Sequence, residues 1–355
     1  MRIIPSLRAN TKGLLSSRKN KSGSFCMLAY FVAIFFAMIK SSVALKSISS
    51  SIGVSFTGAG LLTPFHIGVS QYLQENKIIN DKNILAGSSG GALAAATTAL
   101  KVNAGQALDS TVYIASECRD KGTRLTLRLA LEEVLNTVLP SDAAERLRKR
   151  SAACYIAYAQ LSPAITSCLV NEFKDKEDLI SVLLASCNIP FYFNGNALTV
   201  DVRRGSGVDG YFSMNLNRFG APSTGCLQEV IVCPLPPRLV FLDPVPQQIV
   251  LPDNSLQTQQ IDIISPSLLS NQDWILSTFE NVQMALQPPS ESLVQTIDNK
   301  LSRAGTASVD NLRSSVKCLR RYEGCTGINL AYTYLFNSGV LAARTWQLNK
   351  EGKNK

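Results

Sequence analysis

A serine flanked by glycines is the residue best suited to nucleophilic chemistry in this chain. The segment Gly87-Ser88-Ser89-Gly90-Gly91 has the G-x-S-x-G spacing, in which the central serine attacks a carbonyl carbon. The only histidine, His66, lies upstream of Ser89, whereas α/β-hydrolases place their triad in the order serine, acid, histidine. That order is therefore excluded, and a nucleophilic serine here needs a different proton acceptor.

The residues around Ser89 predict a sharp turn from a strand into a helix. The apolar run Ile84-Leu85-Ala86 is typical of a buried strand, and residues 92–96 are strong helix formers. Strand, glycine turn and helix make a nucleophile elbow, in which Gly87 and Gly91 permit the tight backbone. The free N–H groups and the positive dipole end of the helix then face the serine.

A second glycine loop upstream has the composition of an oxyanion hole. Residues 52–57 alternate as a strand does and lead into Gly58-Ala59-Gly60, whose small side chains leave backbone N–H groups open to a ligand. Thr63 and Pro64 have the residue types of a helix N-cap and a first helical position. His66 falls in that first turn, where we expect a packing role.

The best candidate for the proton acceptor is Asp209, in Val208-Asp209-Gly210. An aspartate in water has a pKa of about 3.9 and is a weak base at neutral pH. Burial raises that pKa because it disfavours the charged form, which makes the carboxylate a better match for a serine hydroxyl. An Asp-Gly pair taken alone is more typical of a surface turn, so the assignment depends on the other motifs.

Taken together, these segments resemble the patatin-like phospholipase domain over about residues 51 to 235. Two further segments are similar to the animal-type branch of that family, which includes adipose triglyceride lipase. The shared motifs are residues 55–62, 65–69, 87–91 and 208–210, with 139–146 and 185–192 for the animal-type branch. The resemblance implies a three-layer α/β fold, with a mainly parallel central sheet flanked by helices and a helical C-terminal extension.

The resemblance also implies a serine–aspartate dyad that uses no histidine, no metal and no cofactor. It assigns Ser89 as the nucleophile and Asp209 as the base, with the oxyanion loop at Gly58, Ala59 and Gly60, and the elbow glycines at Gly87 and Gly91. Two residues depart from the family pattern: Thr63 and Tyr211 stand where glycines are usual.

By this resemblance we expect a lipid acyl hydrolase that cleaves carboxylic esters through an acyl-serine intermediate. Its substrate would be triacylglycerol or glycerophospholipid at a membrane or lipid-droplet surface. The sequence does not decide whether a protein co-activator is needed. A catalytically silent lipid-binding protein of the same fold is the alternative, and the departures at Thr63 and Tyr211 keep it open.

The net charge of +9 comes almost entirely from the N-terminal leader. Residues 1–50 hold eight Lys and Arg and no acidic residue, while the remainder of the chain is nearly neutral. Since no dense basic patch with interleaved aromatics occurs, the sequence argues against a nucleic-acid partner.

The leader has the order of a targeting segment: a basic region, the uncharged apolar run 25–39, and small residues at Ser42-Val43-Ala44. Fifteen helical residues span about 22 Å, which is less than a hydrocarbon core of about 30 Å. The pattern favours a cleaved signal peptide and therefore the secretory pathway or an endomembrane. An uncleaved signal anchor and a plastid-type transit sequence are the alternatives.

The pattern predicts three parts: the leader at 1–50, a catalytic domain at 51–245, and a polar C-terminal extension at 246–355. Helices are predicted over 64–76, 91–101, 105–118, 124–138, 175–186, 290–303 and 307–320, and a strand over 229–233.

Leu335, Gly339, Ala342 and Trp346 share one face of an amphipathic C-terminal helix. A membrane-surface helix has this pattern too, but packing against the protein's own core is the favoured interpretation. Cysteine usage predicts buried thiols at Cys154, Cys187 and Cys233, and Cys318 and Cys325 as the best candidates for a disulfide.

Overall fold

Within the described residues, the strands form one eight-stranded sheet and a separate two-stranded ribbon. The structure is a computed structural model and describes residues 52–161, 166–190, 192–193, 201–203, 205–251, 253–269 and 327–353. The leader, the helices expected at 290–303 and 307–320, and the proposed pair Cys318 and Cys325 lie outside the described residues.

The central sheet is mainly parallel. Its strands in chain order are β1 (Ile52–Phe56), β2 (Leu85–Ser88), β3 (Cys154–Gln160), β4 (Thr166–Val170), β5 (Asp201–Val202), β6 (Gly205–Asp209), β7 (Gln228–Val232) and β10 (Gln260–Ile264); the ribbon pairs β8 (Gln248–Val250) with β9 (Leu256–Thr258). The spatial order is β10-β7-β1-β2-β3-β6-β5, with β4 paired to β3. Strands β10, β7, β1, β2 and β3 are parallel, whereas β4 and β6 run antiparallel to β3.

Helices flank this sheet, as the predicted α/β class requires. They are α1 (Thr63–Glu75), α2 (Gly90–Ala99), α3 (Ala104–Lys121), α4 (Thr123–Val138), α5 (Ala143–Lys149), α6 (Lys176–Ser186) and α7 (Gly327–Lys353). The predicted helices in this part of the chain are confirmed to within a few residues. Capping explains two of the boundaries, because the side chains of Asn103 and Asp175 accept backbone N–H groups at the starts of α3 and α6. None of the described helices is long and apolar enough to cross a bilayer.

The sheet continues beyond residue 245, where the sequence places the end of the catalytic domain. Strand β10 pairs in parallel with β7 and forms an edge of the sheet. Its residue Asp262 forms an ion pair with Lys350 of α7 at 2.5 Å. The sequence assigns this segment only to a polar C-terminal extension, and pairing with a strand distant in sequence makes it part of the sheet.

The C-terminal helix α7 packs against α1 at very short range. A Cβ on Gly68 would lie 1.9 Å from the Phe336 carbonyl oxygen, and a Cβ on Gly339 would lie 2.1 Å from the Phe65 carbonyl oxygen. The two glycines therefore let the helix backbones touch. The face predicted to pack is buried at Leu335, Ala342 and Trp346, and the nearby residues Ala331, Tyr332 and Ala343 are buried too. The helix is thus an integral part of the core.

We predict that Gly339→Ala lowers the free energy of unfolding by about 1–3 kcal/mol, because the added methyl group forces α1 and α7 apart. Gly352→Ala is the matched control, since a Cβ on Gly352 meets nothing within 4 Å. That control should be neutral or slightly stabilising, because alanine favours a helix more than glycine does. Chemical denaturation measures both variants, and equal effects would contradict the close helix contact.

Candidate active site

Ser89 occupies a strained turn between β2 and α2. Its backbone angles are φ +53° and ψ −132°, a conformation that non-glycine residues rarely adopt and that typically costs about 1–3 kcal/mol. Gly87 and Gly91 make the turn sterically feasible. A Cβ on Gly87 would lie 2.1 Å from the Gly91 carbonyl oxygen, and a Cβ on Gly91 would lie 2.3 Å from that of Thr57. The predicted strand–turn–helix geometry is therefore present at Ser89.

Strand β3 brings Ser89 and Asp209 together along one of its edges. Ala157 of β3 pairs with Ser88 of β2 on one edge of β3 and with β4 on the other edge. The next residue, Tyr158, pairs with Asp209 of β6 where β2 has ended. Strands β2 and β6 therefore run toward each other and end at neighbouring positions. Gly210 allows this approach, because a Cβ there would lie 2.0 Å from the Ala157 carbonyl oxygen.

The Asp209 carboxylate is buried and accepts two hydrogen bonds. Its side chain is hydrogen-bonded to Ser89, and the backbone N–H of Tyr211 donates to its Oδ1 atom at 2.8 Å. Burial raises the pKa of Asp209 to about 7, although both hydrogen bonds act in the opposite direction by favouring the charged form. A carboxyl group with this pKa exchanges a proton near neutral pH, as general-base catalysis requires.

The loop Gly58-Ala59-Gly60 lies against the start of α2. A Cβ on Gly90, at the start of α2, would lie 3.0 Å from the Gly60 nitrogen and 3.1 Å from the Ala59 Cβ. A Cβ on Gly58 would lie 3.8 Å from the Ser89 Cβ. Thr63 fits this arrangement, since its hydroxyl donates to the Gly60 carbonyl at 2.7 Å. It thereby ties the loop to α1.

His66 has the packing role expected from the sequence. It is completely buried, and its Nε2 atom lies 3.0 Å from the Thr57 carbonyl oxygen, to which the Nε2-protonated tautomer donates. Burial lowers the pKa of His66 to about 4, so the ring is neutral at physiological pH. The histidine thus braces the residue that precedes the oxyanion loop.

Two serines that support the elbow were not assigned roles from the sequence. The N–H of Ser89 donates to the Ser186 hydroxyl at 2.9 Å, and that hydroxyl donates to the Ala157 carbonyl at 2.6 Å. Ser88 donates to the Gly220 carbonyl at 2.6 Å. Ser186 lies within the motif at residues 185–192, but only the folded chain shows what it contacts.

Comparison with known proteins identifies the family of the segment that carries this site. The family model described as Patatin-like phospholipase matches residues 54–221. These residues form a patatin-like phospholipase domain. The match includes Ser89, Asp209 and all three residues of the oxyanion loop.

Relatives of the animal type are similar to this patatin-like domain. Human 1-acylglycerol-3-phosphate O-acyltransferase PNPLA3 is 26% identical over 196 residues, which cover 51% of this chain and 39% of that protein. Human Patatin-like phospholipase domain-containing protein 4 is 30% identical over 159 residues, which cover 40% of this chain and 57% of that protein. The chain therefore matches about two fifths to three fifths of the length of these relatives. Among solved structures, VipD from Legionella pneumophila matches 55% of each chain at 12% identity, with a TM-score of 0.31.

The predicted buried thiols are confirmed. Cys154, Cys187 and Cys233 are buried and free. Burial raises the pKa of Cys154 to about 12 and that of Cys233 to about 11, so both stay protonated at neutral pH. In the described part of the chain, no three His, Cys, Asp or Glu side chains are grouped so that they could hold a metal ion.

We predict that Asp209→Asn stabilises the patatin-like domain, by an amount that grows as the pH rises from about 4 to 7. Over this range the folded protein keeps the Asp209 proton that the unfolded chain has already lost, so wild-type stability falls with rising pH. Asparagine has no proton to lose, so its free energy of unfolding does not fall in this way. At pH 8 the free energy of unfolding of the variant should exceed that of the wild type by up to about 4 kcal/mol.

Denaturation at pH 4.5, 6 and 8 measures this difference between variant and wild type. Asp81→Asn is the control with the opposite sign, because the hydrogen bond from Lys101 lowers the pKa of Asp81 and its charge is favourable in the fold. A gain for Asp209→Asn that did not change with pH would contradict the raised pKa.

Proposed function

We propose that this protein hydrolyses carboxylic esters of lipids through a dyad of Ser89 and Asp209. The observation that carries the proposal is the meeting of β2 and β6 at neighbouring residues of β3, which brings Ser89 next to a fully buried carboxylate whose pKa is raised to about 7. The membership of residues 54–221 in the patatin-like phospholipase family supports a lipid substrate. Triacylglycerol and glycerophospholipid are the substrate classes proposed.

In the proposed first step, Asp209 accepts the Ser89 proton as the Ser89 oxygen attacks the ester carbonyl carbon. The carbonyl oxygen becomes negatively charged and is stabilised by backbone N–H groups of Gly58-Ala59-Gly60 and of the α2 N-terminus, worth about 3 kcal/mol for a donor of this kind. Protonated Asp209 then returns the proton to the leaving alcohol, and an acyl-serine forms. Water, deprotonated by the same carboxylate, releases the fatty acid.

Transfer of the acyl group to an alcohol is the second candidate function. The similarity to human PNPLA3, whose name describes an O-acyltransferase, favours this candidate. An acyl-serine reacts with an alcohol or with water by the same chemistry, so Ser89 and Asp209 serve both reactions. The catalytically silent alternative agrees less well with the structure, because Thr63 and Tyr211 leave the hydrogen bond between the dyad residues in place.

We predict that wild-type protein is labelled by a fluorophosphonate probe, and that Ser89→Ala abolishes this labelling. Asp209→Asn should lower the rate of ester hydrolysis by about 10²–10⁴-fold, since it removes the general base. The kcat/KM of the wild type for a water-soluble ester should rise with pH through a midpoint near 7, as Asp209 loses its proton. Full turnover in folded Asp209→Asn protein would refute the dyad.

The lipid surface itself is proposed to dock on the apolar loop, defined as residues 237–245. Leu239, Phe241 and Val245 are 56%, 83% and 67% exposed, which is unusual for large apolar side chains. Phe241 also has a φ of +52°, a backbone conformation that aromatic residues rarely adopt. A hydrocarbon surface would remove these side chains from water.

The apolar loop follows the edge of the sheet at which Ser89 lies. It follows β7, which is parallel to β2, and the carboxyl ends of parallel strands meet at the same edge of a sheet. Phe219 packs against the cluster that contains Leu242, and its ring contacts that of Tyr211, with the ring centroids 5.2 Å apart. Since Tyr211 also donates to Asp209, a continuous set of contacts joins the loop to the dyad.

We predict that the double change Leu239→Ser and Phe241→Ser weakens binding to phosphatidylcholine vesicles at least about tenfold, because two apolar side chains no longer leave water on binding. Hydrolysis of a water-soluble ester should be unaffected. Leu129→Ser is the matched control, since Leu129 is 67% exposed on α4. Vesicle co-sedimentation measures all variants, and equal binding by double mutant and wild type would exclude the loop as the docking surface.

A further inference from the structure

The Tyr211 ring lies beside the nucleophile, at a position where the family usually has glycine. If Gly58 carried a Cβ, that atom would be 3.3 Å from Tyr211 Cδ2 and 3.8 Å from the Ser89 Cβ. The ring and the nucleophile therefore both lie within 4 Å of one point above the first residue of the oxyanion loop. A substrate whose carbonyl oxygen entered that loop would contact the ring.

The ring is held in this place from several sides. Phe212 and Phe219 pack edge-to-face against it, with centroid distances of 5.6 Å and 5.2 Å. A Cβ on Gly220 would lie 2.7 Å from Tyr211 Cδ2, so Gly220 leaves the room that the ring occupies. A Cβ on Gly58 would approach the same ring atom to 3.3 Å, so both glycines leave room for the ring. These contacts make it a fixed wall of the site.

The side chain of Tyr211 is separable from the catalytic hydrogen bond. The group that donates to Asp209 is the backbone N–H of Tyr211, at 2.8 Å from Oδ1. A smaller side chain at this position keeps that donor and changes only the space next to Ser89. Tyr211 is therefore suited to control which substrates reach the dyad.

We propose that Tyr211 is a specificity-determining residue that limits the width of the substrate at Ser89, so that lipids with one acyl chain are preferred over diacyl and triacyl lipids. This inference rests on the proposed function and narrows its substrates, from triacylglycerol and glycerophospholipid in general to the glycerolipids that carry one acyl chain. In a 1,2-diacyl lipid, the glycerol carbon next to the one that bears the cleaved ester carries a second acyl ester. This bulky group must fit beside the Tyr211 ring. A single-chain lipid has only a hydroxyl group there.

The test measures kcat/KM for a monoacylglycerol and for the diacylglycerol with the same acyl chain, in mixed micelles. Tyr211→Ala should raise the ratio of diacyl to monoacyl kcat/KM by about tenfold or more relative to wild type, because removing the ring opens the site. Tyr211→Phe keeps the ring and should keep the wild-type ratio. Tyr113→Ala, which changes a partly exposed tyrosine on α3, is the matched control and should change neither the ratio nor the activity.

A general loss of structure would lower the kcat/KM values for the monoacyl and diacyl lipids by the same factor and leave their ratio unchanged. A change in the ratio therefore measures the effect of the Tyr211 ring on substrate choice. If Tyr211→Ala does not fold, Tyr211→Leu shortens the side chain while keeping an apolar contact with Phe219, and the same ratio applies. An unchanged ratio in a variant that still reacts with fluorophosphonate would overturn this inference and leave the proposed hydrolase intact. Absence of fluorophosphonate labelling in the wild type would instead refute the proposed function, and the inference with it.

Discussion

The burial of the Asp209 carboxylate next to Ser89 is the constraint on which the proposed site depends. A carboxylate in water is too weak a base to assist a serine hydroxyl, and no imidazole is present to take its place: the one histidine is a neutral packing residue. Burial changes the carboxylate instead. Loss of hydration raises the pKa of Asp209 to about 7, while hydrogen bonds from Ser89 and the Tyr211 N–H favour the charged form. The charged form that burial disfavours is also the form that accepts the Ser89 proton in the proposed mechanism.

The fold makes this pairing possible by bringing two strand ends together. Strands β2 and β6 share one edge of β3 and end at adjacent residues of it, which places Ser88 and Asp209 side by side. Gly87, Gly91 and Gly210 lie where a side chain would collide with backbone oxygen atoms, so they permit the close approach. The strained φ of Ser89 and the desolvated Asp209 both reduce stability, and the packing of α7 on α1 is among the contacts that offset them.

Local signals in the sequence predicted most of the elements that surround the site. The strand–turn–helix at Ser89, the approximate helix ranges and the buried face of α7 follow from glycine placement and apolar periodicity. The expected N-cap at Thr63 is wrong by one residue, because α1 begins at Thr63 and its N-cap is Leu62. Contacts between distant segments could not be read in this way. The polar segment that contains β10 becomes a strand only because β7 offers it a partner, and Ser186 reaches Ser89 only after α6 packs on β3. The position of the Tyr211 ring likewise depends on Gly58 and Gly220, which are far apart in the sequence.

The central claim is that one aspartate inside the protein titrates near neutral pH. Carboxyl-¹³C labelling of the aspartates, followed by NMR across pH 3 to 9, measures this property without relying on catalysis. The resonance that disappears in Asp209→Asn protein identifies the group. We expect its midpoint near 7, and a midpoint near the ordinary aspartate value of 3.8 would contradict the account, because such a carboxylate would be neither desolvated nor basic enough to activate Ser89.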